Sequence, residues 1–401
     1  MNLITVDDTM SADRALRLIR RGHTLRWEGD FQNARQLLAA LGRRTRKPEL
    51  LNSLLIATKD YEIRLRRAPE VYQACSEAYG APDGERLIPL RELLGVVGAH
   101  QLRKRGIYLP ALGARIHPHY GVFAPTRSEY VDLVAAEPLP PAEVAFDIGT
   151  GTGVLAAVLL RRGIPKVVAT DNNPRAVACA RENLTALVVS DQKAVRTERT
   201  GVTGGTTRAG RADAAGDTMR ADDAVGDPRV VRTERTGVTG GRTRAGRADA
   251  GGGRARVGEP APDAAGAVGA RFEVVEGDLF PVGRADLVVC NPPWVPGRAW
   301  TVLDTAVYDE DSRMLRGFLH GVREHLNPGG EAWLVLSDVA ELLGLRSRDQ
   351  LLTTFREAGL RVVGRSSVVP THRRARVGET TSLWRLRPSG DTVQRSVDSG
   401  E

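Results

Sequence analysis

The chain has 401 residues, 41% of them apolar and 26% charged, the balance of a soluble globular protein long enough for two domains. Three widely spaced cysteines, Cys75, Cys179 and Cys290, exclude a disulfide framework and a zinc site, leaving buried free thiols. No apolar run is long enough to span a bilayer and the first residues lack a signal-peptide pattern, so a cytoplasmic protein without membrane partners is expected. The net charge of +8 favours an acidic partner such as RNA. The preference for Arg over Lys and the abundance of Ala and Gly fit a GC-rich genome equally well.

Residues 1–116 read as a mainly helical N-terminal domain with a possible role in substrate recognition. Asp30 precedes apolar residues at 31, 34, 37, 38 and 41, and Gly42 follows, which predicts a capped helix. Pro48 to Ala57 and Pro69 to Tyr79 are two further helical candidates. The cluster Arg43, Arg44, Arg46 and Lys47 reads either as a recognition surface or as a solvated helix end favoured by the dipole. His117 and His119 stand close together without a third ligand nearby, and they read as structural residues.

From residue 117 to 388 strands and helices alternate. Strands are expected near 144, 166, 272, 285, 331–336, 360–363 and 382–386, and helices at 154–162, 174–187, 311–326 and 347–358. This alternation predicts an α/β fold with a doubly wound, mostly parallel sheet of seven strands, its ligands at the carboxyl ends of the strands. Residues 191–270 interrupt the pattern. They contain no Leu, Ile, Phe, Trp, Tyr or Cys, and Val195 to Ala214 recurs as Val231 to Ala250 with one difference, Thr206 against Arg242. So little apolar surface does not offset ordering entropy, and the segment is expected to be a disordered insertion. A disordered tail is expected from 389 to 401.

Two segments carry chemistry. The run Val144 to Ile148 breaks into Gly149-Thr150-Gly151-Thr152-Gly153 and resumes as the apolar helix from Val154. Such a strand, glycine turn and helix start brings backbone close to a nucleotide-like ligand. A second strand ends in Asp171, with Asn172 beside it, about 20 residues beyond the glycines, where a carboxylate accepts hydrogen bonds from ribose hydroxyls. The other segment is Asn291-Pro292-Pro293-Trp294, after the apolar run Ala285 to Cys290. The prolines stiffen the loop and free its carbonyls. An Asn oxygen and a neighbouring carbonyl together accept both hydrogens of a planar NH2 group, and Trp294 offers a face for that group to stack on.

With these motifs the chain resembles the class I S-adenosylmethionine-dependent methyltransferases, in the branch with an Asn-Pro-Pro-aromatic motif. Within that branch it is similar to release-factor glutamine methyltransferases and to the methyltransferase small domain enzymes of ribosomal and transfer RNA. The resemblance implies a Rossmann-like domain that binds S-adenosyl-L-methionine through Asp147, Gly149, Thr150, Gly151, Gly153, Asp171, Asn172, Asp278, Leu279 and Asn291. It implies acceptor chemistry at Asn291, Pro292, Pro293 and Trp294, and no metal. Gly277-Asp278-Leu279 ends the strand Phe272 to Glu276 at the position that reaches adenine in the family. Thr126 and Arg127, after Tyr120 to Pro125, match a segment folding over the methionine end, where they bond its carboxylate or else open the helix from Ser128. Tyr308-Asp309-Glu310-Asp311 falls where relatives shape the acceptor pocket. The implied activity is N-methylation of a glutamine amide in a protein such as a translation release factor. RNA exocyclic-amine methylation is the alternative, and a non-catalytic cofactor- or RNA-binding module the alternative of another class.

Overall fold

The computed structural model describes residues 2–45, 47–200, 271–298, 307–372 and 375–390. The expected tail beyond 390 and the repeats from 201 to 270 lie outside these residues. The chain divides into two compact units, the first holding residues 1–72 and 81–95, the second 73–80, 96–200 and 271–390 among the described residues. No helix among the described residues is long and apolar enough to cross a membrane.

The first unit has the helix expected after Asp30 and also a sheet, which a mainly helical reading did not anticipate. Strands β1 (Leu3–Val6), β2 (Thr24–Trp27) and β3 (Leu54–Lys59) run parallel, and β4 (Glu85–Pro89) closes the order β1-β2-β3-β4 antiparallel to β3. Helices α1 (Ala12–Arg20) and α2 (Phe31–Arg44) connect the parallel strands. Asp30 caps α2 by accepting the Gln32 N–H at 2.9 Å, as its position predicts. The expected helix over Pro48 to Ala57 is corrected: a 3-10 turn covers Pro48–Ser53 and β3 begins at Leu54. Leu54, Ile56 and Thr58 are buried while their neighbours are not, so a period of two decides the second half of this segment.

In the second unit, α3 (Tyr72–Tyr79, its first residue in the first unit) and the end of α4 (Leu90–Arg105) precede a hairpin, β5 (Ile107–Leu109) with β6 (Ala114–Ile116). After α5 (Glu129–Ala136) the alternation begins: β7 (Val144–Ile148), α6 (Val154–Arg161), β8 (Lys166–Asp171), α7 (Pro174–Thr200), β9 (Phe272–Glu276) and β10 (Ala285–Cys290). Two-residue strands β11 (Val295–Pro296) and β12 (Tyr308–Asp309) pair after β10. Then come α8 (Arg313–Gly321), β13 (Leu326–Ser337), α9 (Arg348–Glu357), β14 (Leu360–Val368) and β15 (Thr381–Pro388). All seven expected strands form one sheet, in the order β14-β15-β13-β10-β7-β8-β9. It is parallel except for β15, which is antiparallel to both its neighbours.

Burial on both faces explains why these strands read as apolar runs. Leu287 and Val289 of β10 enter one core with α5, α6 and α7, while Val288 and Cys290 enter the opposite core with α8 and α9. Helix α7 continues to Thr200, past residue 191 where the insertion is expected to begin. Residues 192–200 include Gln, Lys, Ala, Arg and Glu, good helix formers, and extending an existing helix needs no new nucleus.

Candidate active site

Three glycines break the chain between β7 and α6 in left-handed conformations, φ 69° at Gly149, 55° at Gly151 and 79° at Gly153. Their reasons differ. A Cβ on Gly149 would run into Met314 Cε of α8, whereas one on Gly151 would meet nothing within 4 Å. Gly151 instead donates its N–H to Asp171 Oδ2 at 2.9 Å. Gly153 does not line the crevice described below; its missing Cβ would stand 3.1 Å from Ala180 Cα, so it serves the packing of α6 on α7.

Asp147 lies under this turn and is 1% exposed. Its Oδ2 accepts the Thr150 hydroxyl at 2.6 Å and the Ala156 N–H at 3.0 Å. Burial pushes its carboxyl up to about 6 against these two bonds, with the Asp171 charge adding to the rise. Asp171, at the end of β8, accepts from Gly151 and, through Oδ1, from the Asn173 N–H at 2.9 Å. Its carboxyl is also raised, mainly by burial. Beyond β9, Asp278 is exposed, and Leu279 takes φ 64° while its carbonyl accepts the Thr170 hydroxyl.

The opposite wall follows β10. Trp294 donates its indole N–H to Asn291 Oδ1 at 2.8 Å. The Arg127 guanidinium carbon stands 5.3 Å from the centre of the Trp294 ring. Arg127 also pairs at 2.7 Å with Glu379, which is 2% exposed and takes the Ser337 hydroxyl at 2.8 Å and the Arg376 N–H at 2.9 Å. Hydrogen bonds donated to Glu379 by these groups hold its carboxyl below the ordinary range despite burial. Arg127 therefore has an internal carboxylate partner, where the expectation was either a ligand carboxylate or a side chain at the opening of the helix from Ser128. Asp309 accepts the Met314 and Leu315 N–H groups at 3.0 and 3.1 Å and so caps the start of α8.

Both walls face one crevice of about 1160 Å³. Asp147, Gly149, Thr150, Gly151, Asp171, Asn172, Asp278 and Leu279 line it together with Asn291, Pro292, Pro293 and Trp294. Arg127, Tyr308, Asp309 and Glu310 line it as well; Thr126 and Asp311 do not. Sequence reasoning missed Glu379, Met314 and Tyr130, which also line it. Tyr130 is buried and its phenol is raised, first by burial and then by the Asp147 charge. An aromatic residue in an apolar helix gives no sign of facing a ligand. Elsewhere, His119 meets Glu182 at 2.8 Å and His117 meets the Arg103 carbonyl at 2.7 Å. The three cysteines are buried.

Numbered along the chain, the large sheet runs third, second, first, fourth, fifth, seventh, sixth, a doubly wound order with the reversal between β7 and β10 where the crevice opens. Residues 134–211 match the family model of ribosomal protein L11 methyltransferase (PrmA). This unit has an α/β fold built on a mostly parallel, doubly wound sheet of seven strands. Over 61 residues the chain is 39% identical to the ribosomal protein L11 methyltransferase of Pelobacter propionicus, covering 15% of this chain and 20% of that protein. Over 51 residues it is 49% identical to the protein of that name from Geobacter metallireducens, covering 13% and 17%. The chain thus spans about a fifth of the length of the curated relatives it matches. A solved methyltransferase from Pyrococcus furiosus is 14% identical with a TM-score of 0.36, covering 74% of this chain and 98% of that one. The family match ends before Asn291, so it bears on the glycine-turn wall of the crevice and not on the Asn291 wall.

Proposed function

We propose that the protein is an S-adenosylmethionine-dependent N-methyltransferase of the Asn-Pro-Pro-aromatic branch, acting in the cytoplasm on a planar side-chain amide of a protein. The observation that carries this reading is the shared crevice. Backbone and carboxylates suited to a nucleoside line one wall, and a carboxamide, prolines and an indole line the other.

The residues present fit the cofactor. Each Asp171 oxygen accepts one backbone N–H and keeps a further acceptor site, enough for two ribose hydroxyls. Gly151 leaves its backbone uncovered, Asp278 presents an exposed carboxylate, and the crevice is roomy enough for donor and acceptor groups together. S-adenosylmethionine supplies a methyl group carried on a positively charged sulfur. On the acceptor wall, Asn291 Oδ1 and the Pro292 carbonyl accept the two hydrogens of the acceptor nitrogen. These bonds turn a delocalised lone pair toward the methyl and stabilise positive charge as it develops. The methylated nitrogen is acidic enough to release its proton to water, so no strong base is required.

A protein acceptor agrees with the names of the relatives, whose titles specify a ribosomal protein. The net charge of +8 favours the second reading, an RNA exocyclic amine. Purified protein, incubated with methyl-labelled cofactor and separate RNA and protein fractions of a cell extract, is expected to label protein. Label in RNA establishes the second reading, and label in neither fraction sinks both in favour of a binding module.

A further inference from the structure

The Asn291 carboxamide has an acceptor end and a donor end of nearly equal size, and only the acceptor end serves an incoming NH2 group. Nothing in the strand or in the prolines that follow chooses between them. Trp294 does. An indole N–H is only a donor, so the Asn291 atom 2.8 Å from it is Oδ1. Oδ1 has two lone pairs; the indole takes one and leaves one for the acceptor.

The indole is itself held. Trp294 packs against both cores of the unit, and Arg127 covers its ring at 5.3 Å. Arg127 is anchored to Glu379, and Glu379 to the Ser337 hydroxyl and the Arg376 N–H. The four side chains Glu379, Arg127, Trp294 and Asn291 all line the crevice. They form a relay from a buried carboxylate to the atom that meets the acceptor.

We infer that Trp294 is a positioning residue, which through its N–H fixes the Asn291 carboxamide with its oxygen toward the acceptor nitrogen, and that Arg127 and Glu379 hold Trp294 in register for this. The inference rests on the reading of Asn291 as the acceptor clamp. It also explains the aromatic type: Phe has no donor, and Tyr carries its hydroxyl at the far end of the ring, so Trp alone of the three puts an N–H here.

Two measurements test it. The Trp294 indole N–H resonance, identified by its absence in Trp294→Phe, is expected to move upfield in Asn291→Ala as its acceptor is lost. An unmoved resonance overturns the inference, and this readout needs no turnover, so it stands even where no acceptor is methylated and the proposed function fails. In steady-state kinetics, Trp294→Phe is expected to lower kcat about tenfold, the worth of one hydrogen bond, with cofactor affinity unchanged. In Asn291→Asp both oxygens are acceptors, so no orientation remains to be set. Adding Trp294→Phe to that variant is expected to change kcat by less than about twofold, giving a strongly non-additive cycle. Lost stacking area would instead carry over in full into the Asp background. Additive effects, or an Asn291→Asp enzyme without turnover, overturn the inference.

Discussion

The two walls of the crevice are built by different means. The glycine-turn wall is made of backbone and short side chains within one stretch, from Asp147 to Asn173, fixed by N–H groups of Gly151, Ala156 and Asn173. The Asn291 wall is made of long side chains from four distant segments, with Arg127 and Glu379 252 positions apart. Backbone geometry of the first kind tolerates few sequences, because left-handed turns and close approaches demand particular residues. A side-chain relay of the second kind can be rebuilt with other residues. The family match falls on the first wall only. A fold can keep one wall of a crevice while the other is rebuilt.

The sharpest way to break this comparison is to remove the carboxamide. Asn291→Ala is expected to lower kcat about a thousandfold, as for loss of a charge-stabilising group at a reacting centre. Affinity for S-adenosylhomocysteine by calorimetry is expected to stay within about threefold. Loss of that affinity would make the two walls one unit.

The next effect is on stability and belongs to the glycine-turn wall. The Asp147 carboxyl titrates near 6 in the folded protein against 3.8 ordinarily, so the folded state holds the proton more tightly. Stability from this group is present below about pH 4 and is lost as pH rises to about 6, which leaves an ionised carboxylate buried at neutral pH. Asp147→Asn keeps an oxygen for Thr150 and Ala156 and removes the charge. At pH 7.5 the variant is expected to be more stable by up to about 3 kcal/mol, and the gain is expected to vanish as pH falls to 4. A gain independent of pH would show that burial of charge is not its cause.

The same contrast explains what was legible. The seven strands of the large sheet are buried on both faces, so each reads as an apolar run without help from its neighbours. The glycine turn and Asp171 are close in sequence and were read together. In the first unit, β1 and β2 are four residues each, too short to display a period, and their sheet went unread. Leu50, Leu51, Leu54 and Leu55 sit at helical spacing, which concealed β3. Glu379 gave no signal, because its partner Arg127 is near only once the sheet has formed. Neither expected role of Arg127, ligand contact or helix start, includes Glu379 for the same reason: a buried carboxylate from the far end of the chain is invisible to local pattern.

Within the glycine-turn wall, ligand contact and fold support can be separated in turn. Asp171→Ala removes the carboxylate read as the ribose acceptor. It is expected to weaken S-adenosylhomocysteine binding about thirtyfold, the worth of a hydrogen bond to a charged group. Unchanged affinity would take Asp171 out of the site.

Gly153→Ala carries the smallest effect and tests the division inside the turn itself. At φ 79° an alanine is strained by about 1–2 kcal/mol, and its Cβ would press on Ala180, 3.1 Å away. Because Gly153 faces α7 and not the crevice, the cost falls on folding. Thermal unfolding is expected to come several degrees lower, with cofactor affinity of the folded protein within about threefold of wild type. A large loss of affinity with an unaltered melting temperature would return Gly153 to the ligand side. In that case the three glycines would form one surface, and the wall would no longer divide into two positions that line the crevice and one that serves the packing of α6 on α7.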